Sequence, residues 1–268
     1  MHIVLTIAGF DPSGGAGVLA DSKTVAAFGC FCAAAITSLT SQNSLGVYAT
    51  YHQTPEILRQ QITPVLEDYE IAAVKIGMLP TRELIEVVAT TMGQYSLQNI
   101  VLDPVLSSSS GYLLMGEEAR KLLVEILMPM ATIITPNLDE VEILLGRKPT
   151  SPTEMGAAAR QLSQQVSARN KAPVAVLVKG GHLSDVATDV LFDGTDEHVF
   201  SAVKLATRHT HGTGCTLSSA IAALLAHGCL LPEAVQRAKD YVTEAIKHAP
   251  GIGRGAGPMN HFYRYAPN

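Results

Sequence analysis

The chain has 268 residues, 47% of them hydrophobic and 16% charged, which supplies ample apolar side chain for a core and too little charge to keep the chain disordered. Its 19 Lys and Arg against 24 Asp and Glu leave a net charge of −5 with no dense basic run, so the electrostatic footprint of a nucleic-acid or anionic-membrane binder is excluded. The four cysteines, Cys30, Cys32, Cys215 and Cys229, form no C-x-x-C pair and no Cys/His cluster, so reduced thiols are expected rather than a disulfide framework or a zinc site.

In chain order, the segment from Met1 to Gly9 lacks a basic flank and runs into Asp11, so it reads as a strand and not as a signal peptide. Short β-branched runs then alternate with amphipathic ones, the pattern of βα units on a mostly parallel sheet. Strands are predicted at Ile3–Ala8, Ala34–Leu39, Ala73–Ile76, Ile100–Leu102, Thr132–Thr135 and Val174–Val178. Helices are predicted near Ala16–Phe28, Pro55–Tyr69, Thr81–Tyr95, Glu117–Met128, Leu138–Leu145, Thr153–Ala168, Gly214–His227 and Pro232–His248. In the last of these, Val235, Ala238, Val242, Ala245 and Ala249 trace one apolar face at helical spacing. Ala187–Phe192 and His198–Val203, joined through Asp193-Gly194, read as a hairpin on the sheet edge. The longest apolar stretch, Leu217–Ala226, is far below the ~18 residues a membrane helix needs. With no long linker, repeat or low-complexity tract, residues 1–268 are expected to form one soluble, cytoplasmic α/β domain.

Two glycine-rich turns carry the chemistry. The first, Gly9-Phe10-Asp11-Pro12-Ser13-Gly14-Gly15-Ala16-Gly17, follows a strand and opens a helix, and its end fits a dinucleotide fingerprint. That reading fails on its partner residue: no Asp or Glu lies between Ser22 and Pro55, and no Lys or Arg between Lys23 and Arg59. No G-x-x-x-x-G-K-[ST] occurs either, so this is not a Walker loop. The plain alternative is a flexible strand-to-helix connection. The uncharged run from Thr37 to Ser44 offers donors and acceptors suited to a neutral heterocycle, or is simply a solvated loop.

The second turn, Thr210-His211-Gly212-Thr213-Gly214-Cys215-Thr216-Leu217, precedes an apolar helix. Glycines there let backbone N–H groups converge at the positive helix end, where a phosphoryl group gathering charge is stabilised. Cys215 falls on the first turn, where a lowered thiol pKa and a role as base or nucleophile are expected; a small buried cysteine at a tight helix start is the bland alternative.

This segment resembles the ribokinase superfamily, and a Cys where most members carry Asp is similar to the hydroxymethylpyrimidine and phosphomethylpyrimidine kinases of thiamine biosynthesis. The opening from Leu5 to Thr24 resembles that family too, as do Lys75-Ile-Gly-Met-Leu79, Val101-Leu-Asp-Pro-Val105, Thr135-Pro-Asn-Leu-Asp-Glu140 and Val178-Lys-Gly-Gly-His182. The resemblance implies a ribokinase-like three-layer α/β fold. It also implies ATP-dependent phosphorylation of 4-amino-5-hydroxymethyl-2-methylpyrimidine to its monophosphate and then its diphosphate. Gly212, Gly214, Cys215 and Lys179 would be catalytic, and Asn137, Lys179, Thr213 and Gly214 would hold nucleotide phosphates. Asp103 and Glu140 would serve Mg²⁺, Glu140 through water. Gly9, Asp21, Gln42, Met78 and Val105 would line the pyrimidine pocket, with Gln42 reading ring nitrogen and amine. A homodimer is implied as well. Departures are Phe10, where small polar residues are frequent, and the run from Ser107 to Gly111. A pyridoxal or pyridoxine kinase on the same scaffold is the rival, and a non-catalytic nucleotide or vitamin sensor the remaining one.

Overall fold

The computed structural model describes residues 1–107, 114–167, 173–181 and 186–265. The chain runs β1 (Ile3–Phe10), α1 (Gly17–Ala27), β2 (Phe31–Asn43), β3 (Gly46–His52), α2 (Pro55–Asp68), β4 (Ile71–Ile76), α3 (Arg82–Gln94), β5 (Ile100–Leu102) and α4 (Glu117–Leu122). It continues through β6 (Ile133–Ile134), α5 (Leu138–Leu145), α6 (Pro152–Ser167), β7 (Ala175–Gly180), β8 (Val186–Phe192), β9 (Glu197–Val203), α7 (Thr213–Ala226) and α8 (Leu231–Lys247). The strands form one sheet in the order β3-β2-β1-β4-β5-β6-β7-β8-β9. Pairing is parallel from β2 to β7 and antiparallel where β3 joins one edge and the β8–β9 hairpin the other.

Alternation along each strand sorts side chains to two helical layers. Leu5 and Ile7 of β1 and Val74 and Ile76 of β4 pack with α2, α3 and α6 on one face. Val4, Ala73 and Val101 pack on the other with α7 and α8. Every residue of α7 from Thr216 to Ala226 is buried, as a helix with little polar surface must be.

Two sequence expectations are corrected. The strand expected at Ala34–Leu39 runs from Phe31 to Asn43 and turns back into β3, which was not anticipated. Asn43 and Gly46 pair across the turn, and the Asn43 side chain accepts from the Leu45 N–H at 2.8 Å, a local bond that stabilises the reversal. The helix expected over Glu117–Met128 is α-helical only to Leu122, then widens into a π turn to Leu127 and tightens into a 3₁₀ turn at Met128–Met130. Pro129, with no N–H to donate, cannot extend the α-helix. The edge hairpin stands as expected: Gly194 has φ +104° and Asp193 accepts from the Thr195 and Asp196 N–H groups. Ala168, His182 and Ser108–Gly111 lie outside the described residues. Among the described residues no helix is long and apolar enough to cross a membrane.

Candidate active site

The parallel strands end on one side of the sheet, and the chemistry collects there, as open α/β sheets require. Gly9 lies near the end of β1, Met78 follows β4, Asp103 follows β5, Thr135 follows β6 and Lys179 lies near the end of β7. Lys179 Nζ binds Asp103 Oδ1 at 2.7 Å, and the Thr135 hydroxyl donates to the same oxygen at 3.0 Å.

The two glycine turns lock against each other. Gly212, the residue before α7, has φ +80°, and a Cβ there would overlap the Gly15 carbonyl. A Cβ on Gly15 would in turn overlap the His211 ring. The two turns therefore fit only with glycine at both places. A Cβ on Gly214 would stand 3.3 Å from Lys179 Nζ and 3.4 Å from Asp103 Oδ2, so the start of α7 directly abuts the Lys179–Asp103 pair. Thr213, Gly214 and Cys215 thus bring their first-turn amides beside a lysine and a carboxylate.

Asn137 caps α5: its side chain accepts from the Glu140 N–H at 2.9 Å, and Glu140 accepts from the Asn137 N–H at 2.7 Å. The Asn-x-x-Glu spacing is thus a capping box in this chain, which orients Glu140 whatever else it does. Burial pushes the Glu140 carboxyl up to about 7; Lys179 draws it down and Asp103 pushes it up further. Burial alone would depress Lys179, but Asp103 and Glu140 hold its ammonium above the ordinary lysine value.

Two residues have surroundings that local sequence does not show, and for Cys215 the expected direction is corrected. Asp21, expected at the pyrimidine pocket, has a full set of protein partners. Its carboxylate is fully buried, bound by Lys75 Nζ at 2.9 Å on both oxygens, by Thr6 at 2.6 Å and by Ser219 at 2.8 Å. Cys215, one helical turn before Ser219, is half-buried, and its thiol is raised, not lowered. Burial dominates; the Lys75 ammonium and the Gly17 amide pull the other way without prevailing. The helix start was the visible signal, and the cover over it was not.

Of the remaining expected pocket residues, Gly9 and Met78 lie against each other. A Cβ on Gly9 would stand 3.1 Å from Met78 Sδ, and Val105 is half-buried two residues beyond Asp103. Gln42, near the end of β2, lies with its amide 3.1 Å from His211 Nε2, which is itself 2.8 Å from Asp11 Oδ2. Asp11, His211, Lys75 and Thr135 join the site through contacts that sequence alone does not assign. Each sits in a motif, yet only the fold shows what it binds.

A family model described as phosphomethylpyrimidine kinase matches residues 11–260. The chain is 43% identical to a hydroxymethylpyrimidine/phosphomethylpyrimidine kinase of Rhizobium meliloti, over 98% of each chain. It is 42% identical to a chloroplast thiamine biosynthetic bifunctional enzyme of Arabidopsis thaliana over 97% of its own length, and spans 50% of that longer protein. Among solved structures, an ADP complex of Bacillus subtilis pyridoxal kinase superposes with a TM-score of 0.89 at 34% identity, covering 99% of this chain and 100% of that one. A phosphomethylpyrimidine kinase of Clostridium difficile gives 0.79 at 40% identity, covering 92% and 100%. By the extent of the family match, and by sharing four-tenths of its residues along the whole length with such kinases, the chain belongs to the phosphomethylpyrimidine kinase family.

Proposed function

We propose that the chain transfers the γ-phosphoryl group of ATP first to the hydroxyl of 4-amino-5-hydroxymethyl-2-methylpyrimidine and then to the resulting monophosphate, within thiamine biosynthesis. The observation that carries this reading is the meeting of the α7 start with the Lys179–Asp103 pair at Gly214. Phosphoryl transfer needs little covalent help but strong stabilisation of charge in line with the acceptor. The amides of Thr213, Gly214 and Cys215 would face the transferring oxygens, and Lys179 would neutralise the nucleotide phosphates. As the acceptor oxygen bonds to the γ-phosphorus, the bond to ADP breaks and the alcohol proton passes to the Cys215 thiolate. Since burial disfavours that thiolate, Lys75 is the charge that favours it.

The donor set fits a hydrated magnesium ion and not an all-protein cage. Asp103 and Glu140 are two carboxylates facing one lysine, and among the described residues no group of three or more His, Cys, Asp or Glu could hold a metal. Asp103, and Glu140 through water, would hold the ion, which would screen the charge of the nucleotide phosphates.

On the substrate side, Gln42 would pair with the ring nitrogen and amine, above Gly9 and Met78 and beside Val105. Replacing Gln42 by Leu should raise KM for the pyrimidine far more than for ATP. The nine strands that the described residues place in one sheet support a single kinase domain, and the dimer implied by the resemblance is checked by sedimentation.

The fold likeness to pyridoxal kinase favours a second reading, in which pyridoxal is the alcohol. A coupled ADP-release assay on the pyrimidine alcohol, its monophosphate and pyridoxal decides between them. We expect turnover on the first two to exceed that on pyridoxal; the reverse order overturns the assignment.

A further inference from the structure

We propose that the Asp11–His211 pair fixes which way round the Gln42 amide faces, making His211 a positioning residue for recognition of a ring edge that carries an acceptor beside a donor. The proposal rests on the reading of Gln42 as the residue that meets the ring.

Asp11 accepts from the Ser13 N–H at 2.8 Å, the Ser13 hydroxyl at 2.7 Å and the Ala16 N–H at 2.9 Å, which is the surrounding of an ionised carboxylate. Burial opposes ionisation, but the bonds from His211 and Ser13 keep this carboxyl below the ordinary range. His211 Nε2, 2.8 Å from Asp11 Oδ2, must then carry a proton, because two lone pairs do not face each other at that distance. A protonated ring nitrogen has nothing left with which to accept from the Gln42 NH₂ group 3.1 Å away. The other end of the amide meets the matching conflict. Thr40 has one hydroxyl proton and two acceptors in reach, Phe10 O at 3.0 Å and Gln42 Oε1 at 3.2 Å.

A half-turn of the amide resolves both conflicts without displacing a heavy atom. His211 then donates to Asp11 and to the amide oxygen together, while Thr40 donates to Phe10 and accepts from the amide NH₂. One N–H and one lone pair remain for a ligand, in a fixed order along the amide. A ring held at its alcohol by the α7 start meets that order from one side only. The reversed amide would set like against like, an unpaired donor and an unpaired acceptor in a half-covered site.

The pair is also built to hold its place. His211 is 8% exposed and Asp11 3%. The ring packs on Gly15, and the His211 N–H reaches Gly257 O at 3.2 Å.

The test compares His211→Ala, His211→Gln, Asp11→Asn, Gln42→Ala and the His211→Ala/Gln42→Ala double variant in steady-state kinetics. Substrates are ATP with the pyrimidine alcohol or with its analogue lacking the 4-amino group. We expect His211→Ala to raise KM for the alcohol about tenfold, with kcat within about threefold and KM for ATP unchanged. His211→Gln, which keeps a side-chain N–H toward both partners, should recover most of that loss. Asp11→Asn, which preserves shape but frees the imidazole tautomer, should shift KM as His211→Ala does. The double variant should be no worse than Gln42→Ala alone, and the preference for the alcohol over its des-amino analogue should fall about tenfold in His211→Ala, Asp11→Asn and Gln42→Ala but not in His211→Gln. Additive losses, an unchanged preference between the two alcohols, or equal losses on both substrates would overturn the role of His211 while leaving the Gln42 contact standing. A Gln42→Ala enzyme with wild-type KM for the alcohol would overturn both.

Discussion

Two buried lysine–carboxylate pairs lie close together in this fold, and they sit in different surroundings. Lys75 and Asp21 are both 0% exposed, and Thr6 and Ser219 complete the carboxylate's partners. Lys179 is 14% exposed and Asp103 3%, with one carboxylate oxygen turned toward Gly214 and the α7 start. The first pair is sealed between β1, β4, α1 and α7, with no exposed side. The second keeps an open side. The distance between lysine and carboxylate, 2.9 Å against 2.7 Å, does not tell them apart. What separates structural from functional pairing is whether any charge remains presented to the solvent side.

The sharpest way to break this comparison is to remove each lysine in turn. Lys75→Met leaves Asp21 buried without its counter-ion and should cost about 3–5 kcal/mol of stability in urea denaturation. The Lys75→Met/Asp21→Asn double variant should recover much of it. Lys179→Met should cost only about 1–2 kcal/mol, since the site can admit water, yet lower turnover by about 10²–10³-fold. Equal stability losses at the two lysines would dissolve the distinction.

Cys215 feels both pairs, with Lys75 lowering its thiol and Asp21 and Asp103 raising it. Cys215→Ala should slow phosphorylation of the alcohol by roughly 10²–10⁴-fold. The monophosphate reaction should fall far less, since a phosphate monoester with a second pKa of about 6 is already ionised. Because the thiol lies above its ordinary value of 9.0, the first step should also climb about tenfold per pH unit between pH 7 and 9 in the wild type, and the second should not. Single-turnover kinetics of each step measures both. A common factor for the two steps would reassign Cys215 to the geometry of the helix start.

The smallest expected effect belongs to Glu140, beside the open pair. Its carboxyl moves from 4.5 to about 7 on folding, so the folded state binds more protons than the unfolded one across that window. That contribution to stability is full below pH 4.5 and is lost as pH rises to 7. Glu140→Gln should therefore lose less stability than wild type between pH 4.5 and 7, read from urea midpoints, while its magnesium requirement rises about tenfold. An unchanged magnesium dependence would remove Glu140 from the metal site.

Much of this was legible in the chain itself. The alternation of strand and helix, the α7 start after Gly212-Thr213-Gly214 and the hairpin at Gly194 depend on neighbours within a few residues, so local pattern determines them. β3 carries a local signal in Gly46-Val-Tyr-Ala-Thr-Tyr-His52, a run rich in β-formers. Asp21 was beyond such reading: its partners stand 54 and 198 positions away, and nothing in their spacing encodes a meeting. The same holds for Asp11 and His211, 200 positions apart. Cys215 shows the division within one residue. Its place on a helix start follows from the flanking glycines, but the direction of its titration follows from what covers it. A helix end contributes a fixed local dipole, whereas desolvation is the sum over every segment the fold brings near, and only the tertiary structure decides that sum.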